Sequence, residues 1–347
     1  MKNKKINKNI KKIFINKQRA LLNNKNRKNN CLYYIKNIYK RYNKPIRGFF
    51  IFLFIIILFI SNLLKIFESK LEPIKKVCLC LVAKNENKYI IEFIEYYKKY
   101  GIDKIFLYDN NDINGEKFED IIQNYIKSGL VDIIYFKEVK APQISAYNDC
   151  YKKNNFYFDW LIFFDIDEFI YLKNFNNIKL FLADKRFHKC ERIQLNYVYH
   201  TDNNLLYYDN RNVLERFPEI NKNYNKVWER SNIKSIVRGN YKNIQIVNPH
   251  YLSLKFKSCN GFGKNINIHH LHTLNIDYEY YYINHYFSKS LEEFIEKIMR
   301  TDVFYIKDVK IKKIGQYFKY NKITKEKIEF IENKTKIHLY KFRDKII

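Results

Sequence analysis

Two aspartates lie one residue apart directly after an apolar run. The run LIFF ends at residue 164, and Asp165, Asp167 and Glu168 follow it. Asp165 and Asp167 can reach one hard cation, because Mg²⁺ and Mn²⁺ prefer oxygen ligands and keep positions open for phosphate oxygens. One of the two could instead cap a helix N-terminus, but a cap does not require both. The motif therefore predicts a Mn²⁺ or Mg²⁺ site that offsets the charge of a leaving diphosphate.

The elements that must position these carboxylates are predicted from alternating apolar runs and amphipathic stretches. Strands are predicted at 77–83, 104–109, 131–136 and 160–164, and helices at 88–100, 116–127 and 146–153. Strands that alternate with helices indicate an α/β fold with a mostly parallel sheet between helices. Active sites of such sheets lie at the carboxyl ends of the strands. We therefore expect the site in the loops that open at Lys84, Asp109, Phe136 and Asp165.

The positive charge of the chain is concentrated at its N-terminus. Of a formal net charge of +28, residues 1–47 contribute 16 Lys and Arg and no acidic residue. The rest of the excess is spread through a sequence rich in Lys, Asn, Ile and Tyr, without zinc-finger, RNP or helix-turn-helix patterns. We predict a basic, disordered cytoplasmic tail at 1–47 that contacts anionic lipid, and no nucleic-acid partner.

An uncharged segment follows this tail, between Arg47 and Lys65. Its 17 residues are short for a membrane span, which takes about 17–25 residues, but a snorkelling Lys65 extends it. A buried core helix is the weaker alternative beside a polycationic tail, and no small-residue cleavage site follows. The pattern predicts one transmembrane helix at 48–67, with the N-terminus in the cytoplasm and residues 68–347 across the membrane.

The six cysteines include no CxxC pair, which argues against a structural zinc site. Cys78 and Cys80 lie two apart in the first predicted strand, so their side chains should share a face. The spacing leaves the disulfide pairing and the redox compartment open.

Several blocks of this sequence together resemble glycosyltransferase family 92 and related, family 2-like enzymes of the GT-A fold. The blocks are VAKNE (82–86) with Glu92, Tyr96 and Gly101, YDNN (108–111), Gln143 with AYNDC (146–150), DIDEF (165–169), LERF (214–217), KSIVR (234–238), and INHY (283–286) with Lys289, Ser290, Glu293 and Phe294. No single block is decisive, but the ordered set spans about residues 77–300. The resemblance implies a GT-A-type, Rossmann-like domain at 75–305, followed by a basic helical extension at 306–347.

The resemblance also implies roles for individual residues. Nucleotide-sugar contacts would come from Asn85, Glu86, Asp109, Asn148, Lys289 and Arg300, and the metal would be held by Asp165, Asp167 and His285. Each role has an alternative: residues 109–111 can form a plain turn, His285 can be a hydrogen-bonded core histidine, and the basic side chains can be solvated. His250 is a further candidate for the metal site, whereas the histidines at 269–272 are interpreted as strand or loop.

The activity implied by the resemblance is hexosyl transfer, with inversion, from a nucleotide sugar to a glycan or glycoconjugate. UDP-galactose is weakly favoured as the donor, and a eukaryotic chain would work in the Golgi or ER lumen. The unranked candidates for the general base are Asp202, Glu215 and Glu229. Residues 197–204 depart from the family pattern, so the acceptor stays open. One alternative is a nucleotidyltransferase, but such an enzyme should have a glycine-rich phosphate loop after the first strand, and this sequence has none there. The other alternative is a catalytically inactive scaffold of the same fold at a membrane.

Overall fold

The computed structural model describes residues 56–57, 59–60, 76–139, 141–221, 231–266, 272–273, 276–299, 307–343 and 345. Two compact units are distinguished, 1–72 and 73–347. The predicted tail at 1–47 and most of the predicted anchor at 48–67 lie outside the described residues. Within the described ranges, no helix is both long and apolar enough to cross a membrane.

The first half of the second unit alternates strands and helices as predicted. Its elements are β1 (Val77–Ala83), α1 (Asn87–Lys99), β2 (Lys104–Asp109), α2 (Glu119–Lys127), β3 (Val131–Tyr135), α3 (Pro142–Asn154) and β4 (Trp160–Phe163). The largest boundary difference is in α3, which begins at Pro142 and not at Ala146. Proline is favoured in the first helical turn, because the backbone N–H that it lacks has no partner there.

The second half contains shorter strands and a helical C-terminal part. Its elements are β5 (Glu168–Leu172), α4 (Ile178–Ala183), a 3₁₀ turn (Lys185–Phe187), β6 (Arg192–Tyr199), α5 (Val213–Arg216), β7 (Ser231–Arg238), β8 (Ser258–Asn260), β9 (Asn265–Ile266), β10 (His272–Thr273), β11 (Tyr281–His285), α6 (Leu291–Met299), α7 (Lys307–Tyr320), α8 (Lys325–Thr335) and α9 (Tyr340–Arg343).

The main sheet has the strand order β3-β2-β1-β4-β7-β6-β11-β5. The pairs from β3 to β4 are parallel, as predicted. The other half is mixed, because β7 runs antiparallel to both β4 and β6, and β11 runs parallel to β6 but antiparallel to β5. The expectation of a mostly parallel sheet therefore holds only for the first half. β4, which precedes the aspartates, lies between β1 and β7 near the middle of the sheet.

Helix α1 shows how the apolar pattern builds the core. Ile90, Phe93 and Tyr97 recur at helical spacing and are fully buried against the sheet. Full burial of such a side chain stabilises the fold by about 1.5–3 kcal/mol. The helix stops before Gly101, which adopts φ 85° and lies where a Cβ would be 2.5 Å from the side chain of Asn177. The predicted helix end is thus enforced by both backbone conformation and packing.

The C-terminal helices pack against the rest of the second unit. Phe294 of α6, Tyr317 of α7 and Ile331 of α8 belong to one buried cluster. Tyr320 at the end of α7 stacks on Tyr199 of β6, with ring centroids 4.4 Å apart. The described residues 307–343 thus contain α7, α8 and α9, and α7 packs against β6; the separate extension at 306–347 stays a prediction.

Two disulfides cross-link the second unit. Cys80 of β1 is bonded to Cys150 of α3, and Cys190 is bonded to Cys259 of β8, while Cys78 is a buried free thiol. Each bond closes a loop of about 70 residues, so we expect reduction of both to lower the free energy of unfolding by about 4–8 kcal/mol in total. Urea unfolding with and without reductant measures this loss.

Peptide mapping provides the control for this prediction. Proteolysis of the unreduced chain after alkylation in denaturant should yield linked peptides for both pairs and an alkylated Cys78. A linked peptide that contains Cys78 would show that the pairing is wrong.

Candidate functional site

The residues after β4 turn back to form β5 and present three carboxylates. The pairing of β11 with β5 places His285 directly opposite Glu168. His285 Nε2 consequently lies 3.6 Å from Asp167 Oδ1, and one ligand atom from each of Asp167, Glu168 and His285 lies within 4.8 Å of the others. The backbone carbonyl of Asp167 accepts a hydrogen bond from the N–H of Tyr286, which holds the turn against β11. Two segments more than 100 residues apart thus form one compact cluster.

Asp165 is held by partners on three sides. One carboxylate oxygen accepts hydrogen bonds from Gln143 (2.6 Å) and Tyr147 (3.1 Å), both on α3. The other oxygen lies 3.0 Å from Nζ of Lys234, a fully buried side chain of β7. About a third of the Asp165 side-chain surface nevertheless remains exposed to solvent.

Glu168 lies behind Asp165 and supports it. One of its oxygens accepts a hydrogen bond from the backbone N–H of Asp165 at 3.0 Å, and the other accepts one from Tyr197 and lies 3.5 Å from Lys234. Burial alone would lower the pKa of Lys234, but Asp165 and Glu168 raise it, so the lysine stays charged. Burial raises the pKa of the Glu168 carboxyl. Since both of its oxygens are already engaged, Glu168 is a weaker candidate ligand than Asp167 or His285.

The group around Asp167 fits a divalent cation. Burial alone would raise the pKa of the Asp167 carboxyl, but its interactions with Lys297 and His285 hold it well below its usual range. Nδ1 of His285 is buried without a hydrogen-bond partner among the described residues, and the ring packs 4.4 Å from that of Tyr197. A carboxylate and an imidazole are ligands that Mn²⁺ accepts. The donor set therefore suits Mn²⁺ better than a purely oxygen-seeking ion.

Two lysines from the segment that contains α6 lie beside the cluster. Lys297 of α6 lies 2.8 Å from Oδ2 of Asp167, and Lys289 lies 3.7 Å from Glu86. The ammonium of Lys289 also lies 3.7 Å from the centre of the Tyr89 ring, a cation–π contact. Glu86 and Lys289 were predicted as nucleotide-sugar contacts, and the structure brings them together beside Asp167.

The ends of β1 and β2 meet at the same edge of the sheet. Asn85 adopts a left-handed conformation (φ 54°), and its backbone N–H donates to the side-chain oxygen of Asn111 at 2.6 Å. Asp109 is fully buried, forms an ion pair with Lys137 and accepts the N–H of Asn111. Asp109 is thus the last residue of β2, and Asn110 and Asn111 begin the loop after it, at the carboxyl edge of the sheet. Their contact with a nucleotide stays a prediction.

The side chain of Asn148 connects α3 to the loop after β7. Its amide nitrogen donates to the carbonyl of Ile246 and its amide oxygen accepts the N–H of the same residue, both at 2.8 Å. This clamp fastens the loop after β7 to α3, one turn beyond Gln143. A direct contact of Asn148 with the donor would have to replace this clamp.

The predicted base candidates have different surroundings. Asp202 is buried in an ion pair with Lys327 (2.5 Å) and accepts a hydrogen bond from Tyr317, which suits a structural role. Glu215 is largely exposed, 3.9 Å from Arg211. Glu229 and Arg300, the predicted phosphate contact, lie outside the described residues. The roles of Asp202, Glu215 and Glu229 as general base, and of Arg300 as phosphate contact, stay predictions.

His250 lies near the cluster but does not belong to the group of potential ligands. Its Nδ1 lies 3.0 Å from the carbonyl of Ile233, so Nδ1 donates and Nε2 carries the lone pair. Burial and the neighbouring charge of Lys234 lower the pKa of His250 to about 4. The imidazole is therefore neutral at physiological pH.

Sequence reasoning assigned no role to Lys234, Lys297, Gln143 or Tyr147. Gln143, Tyr147 and Lys234 belong to the sequence blocks that resemble family 92, so these blocks were the available signal. For Lys297, the signal was its spacing from Glu293, four residues earlier on the same face of α6. The sequence did not show that Lys234 would lie beside Asp165 and Glu168, or that Lys297 would lie beside Asp167.

Comparison with protein families adds independent information. The model of the family described as Glycosyltransferase family 92 matches residues 76–338, further than the blocks quoted above extend. A family 92 protein of Ricinus communis is 27% identical over 110 residues, or 30% of this chain and 18% of that protein. A family 92 protein of Oryza sativa subsp. japonica is 26% identical over 95 residues, or 27% of this chain and 16% of that protein. The chain therefore matches less than a fifth of the length of these relatives.

Two solved structures illustrate the level of structural similarity. S. aureus TarS 1-349 in complex with UDP-GlcNAc gives a TM-score of 0.37 at 13% identity, over 77% of this chain and 85% of that chain. The mannosyltransferase PcManGT from Pyrobaculum calidifontis, in complex with GDP-Man and Mn²⁺, gives 0.28 at 10% identity, over 41% and 46%. Similarities at this level transfer neither a ligand nor a residue role.

Proposed function

This chain belongs to glycosyltransferase family 92, and from that premise we propose that it is a metal-dependent transferase that moves a hexose from a nucleotide sugar to a glycan or glycoconjugate. The proposed donor is a UDP-sugar, with UDP-galactose weakly favoured. The proposed cofactor is Mn²⁺, with Mg²⁺ as the alternative. Transfer is proposed to invert the anomeric centre.

The observation that carries the proposal is the contact between Asp167 and His285 at the carboxyl edge of the sheet. The two side chains come from distant segments, and their nearest ligand atoms are 3.6 Å apart, beyond hydrogen-bond distance but suitable for joint coordination. Asp165 lies two residues away, with one oxygen fastened to α3 and the other to Lys234. This arrangement supports a site in which Asp167 and His285 hold the metal, whereas Asp165, the third predicted ligand, would have to release a present partner to join them.

The residues of the chain supply the remaining electrostatics of the proposed reaction. Bound Mn²⁺ would offset the negative charge of the departing diphosphate. Lys289 and Lys297 place two further positive charges beside Asp167 and Glu86, where they would stabilise the same charge in the transition state. The acceptor hydroxyl forms the new bond to the anomeric carbon as the bond to diphosphate breaks, and its proton passes to a general base. Asp202, Glu215 and Glu229 stay the unranked candidates for that base.

The proposed location is a membrane, with the N-terminus in the cytoplasm and the catalytic domain in a Golgi or ER lumen. The support is the charge asymmetry around residues 48–67, together with the two disulfides of the catalytic unit. Disulfides persist in oxidising compartments and are rare in the cytosol. The same disulfides would be unexpected if this unit worked in a reducing compartment.

A donor panel tests the proposed function. The full chain would be incubated with UDP- and GDP-sugars, with Mn²⁺, with Mg²⁺ and with a chelator, and release of nucleoside diphosphate would be measured. We expect turnover of one UDP-sugar that the chelator abolishes and Mn²⁺ restores.

The donor panel contains no acceptor, so absence of turnover alone does not show that the donor fails to bind. Calorimetry of nucleotide binding with and without metal, on the same protein, is therefore the control. Folded protein that neither turns over a donor nor binds UDP with Mn²⁺ would contradict the proposal and favour an inactive scaffold. Turnover that resists the chelator would contradict the metal requirement alone.

A further inference from the structure

Lys297 binds the carboxylate of Asp167, the same group that the proposed metal would bind. Its Nζ lies 2.8 Å from Oδ2 of Asp167, while His285 approaches Oδ1 of the same carboxylate. Asp167 is nearly buried, but 41% of the Lys297 side-chain surface is exposed. Lys297 lies in the last turns of α6, and its ammonium lies 5.7 Å from the centre of the Phe287 ring. The side chain can therefore leave Asp167 without disturbing the core.

The other lysines of the site are fixed in place. Lys234 is fully buried between Asp165 and Glu168, and no described path leads it to solvent. Lys289 is 6% exposed, adopts φ 49° and is stacked on the ring of Tyr89. Among these three ammonium groups, Lys297 alone combines contact with Asp167 and freedom to rotate.

The charges of the cluster nearly balance without a metal. The carboxylates of Asp165, Asp167 and Glu86 face the ammonium groups of Lys234, Lys289 and Lys297, and Glu168 adds a fourth carboxyl group whose pKa is raised by burial. A divalent cation on Asp167 would make the cluster positive and would repel the adjacent ammonium of Lys297. The diphosphate of a donor carries the negative charge that such a displaced ammonium would bind, and lysine binds phosphate as a point charge.

We propose that Lys297 is a removable counter-ion: it neutralises Asp167 in the empty site and turns to the donor diphosphate when a metal takes Asp167. This inference rests on the proposed function, since it requires a metal and a nucleotide sugar at this site. Lys297 then opposes metal binding in the absence of donor and favours donor binding in the presence of metal. Binding of the metal and binding of the donor thereby become positively coupled. The metal frees Lys297 for the diphosphate, and the diphosphate draws Lys297 away from Asp167.

The test is a pair of affinities that should change in opposite directions. In the full chain, Lys297→Gln removes the charge, and Lys297→Arg retains it. Mn²⁺ affinity without nucleotide is measured from the paramagnetic resonance signal of free Mn²⁺, and UDP affinity is measured by calorimetry at saturating Mn²⁺. We expect Lys297→Gln to tighten Mn²⁺ about three- to tenfold and to weaken UDP about tenfold. Lys297→Arg should stay near the wild type in both.

Lys88→Gln is the matched control, because Lys88 forms an ion pair with Glu296, the neighbour of Lys297, outside the cluster. It should change neither affinity. Should the glutamine variant not fold, Lys297→Met keeps an unbranched side chain of similar length without the charge and should show the same two directions.

Two results would overturn the inference while the proposed function stands. One is a wild type that binds Mn²⁺ and UDP, with a Lys297→Gln variant whose Mn²⁺ affinity is unchanged or weaker. The other is a UDP affinity that does not fall in that variant. A folded wild type that binds neither Mn²⁺ nor UDP would instead overturn the proposed function, and the inference with it.

Discussion

Replacement of Asp167 by Asn is expected to lower kcat/KM for sugar transfer about a thousandfold. Asp167 is ionised well below neutral pH and faces both His285 and Lys297, so asparagine removes a negative charge from the centre of the proposed metal site. The amide has nearly the same shape, so the fold should persist. Mn²⁺ affinity, measured on the same variant without nucleotide, should fall in parallel with activity.

Asp132→Asn is the matched control for this variant. Asp132 forms an exposed ion pair with Lys104 (2.6 Å) at the start of β3, away from the carboxyl edge of the sheet. It should keep both full activity and full metal affinity. If Asp167→Asn retained more than about a tenth of kcat/KM, which is a loss of under about 1.4 kcal/mol in transition-state stabilisation, Asp167 would not be an essential metal ligand.

Replacement of Lys234 by Met is expected to lower the free energy of unfolding by about 3–5 kcal/mol. Lys234 is fully buried, and its ammonium is shared by Asp165 (3.0 Å) and Glu168 (3.5 Å). Methionine fills much of the same volume but leaves Asp165 and Glu168 without the ammonium group that they share. Because a domain is stable by only about 5–15 kcal/mol, this loss is a large fraction of the total, and urea unfolding should detect it easily.

A double variant separates loss of charge compensation from loss of packing. Glu168→Gln added to Lys234→Met removes one of the uncompensated carboxylates and should recover part of the lost stability. Lys173→Met, which breaks an exposed ion pair with Glu279, should leave unfolding unchanged. If the double variant were as unstable as both changes added separately, the charges of Lys234 and Glu168 would not be coupled.

Local patterns in the sequence predicted the first half of the fold well. Apolar runs of four to seven residues gave β1, β2 and β4, and the helical spacing of Ile90, Phe93 and Tyr97 gave α1. These signals are local, because a buried strand must be apolar and an amphipathic helix must repeat about every 3.6 residues. The antiparallel insertion of β7 beside β4 was not predicted, since strand order depends on pairing between segments that lie 74 to 78 residues apart in the sequence.

The sequence by itself determined which side chains would gather at the carboxyl edge of the sheet, namely Asp165, Asp167 and the residues after β1 and β2. It determined this because each follows a buried strand, and parallel strands end together. Only the tertiary structure decided which cation each carboxylate meets. The register of β7 against β4 brings Lys234 to Asp165, and the packing of α6 brings Lys297 to Asp167. Disulfide partners were decided in the same way, because the spacing of cysteines along a chain does not specify their distance in space.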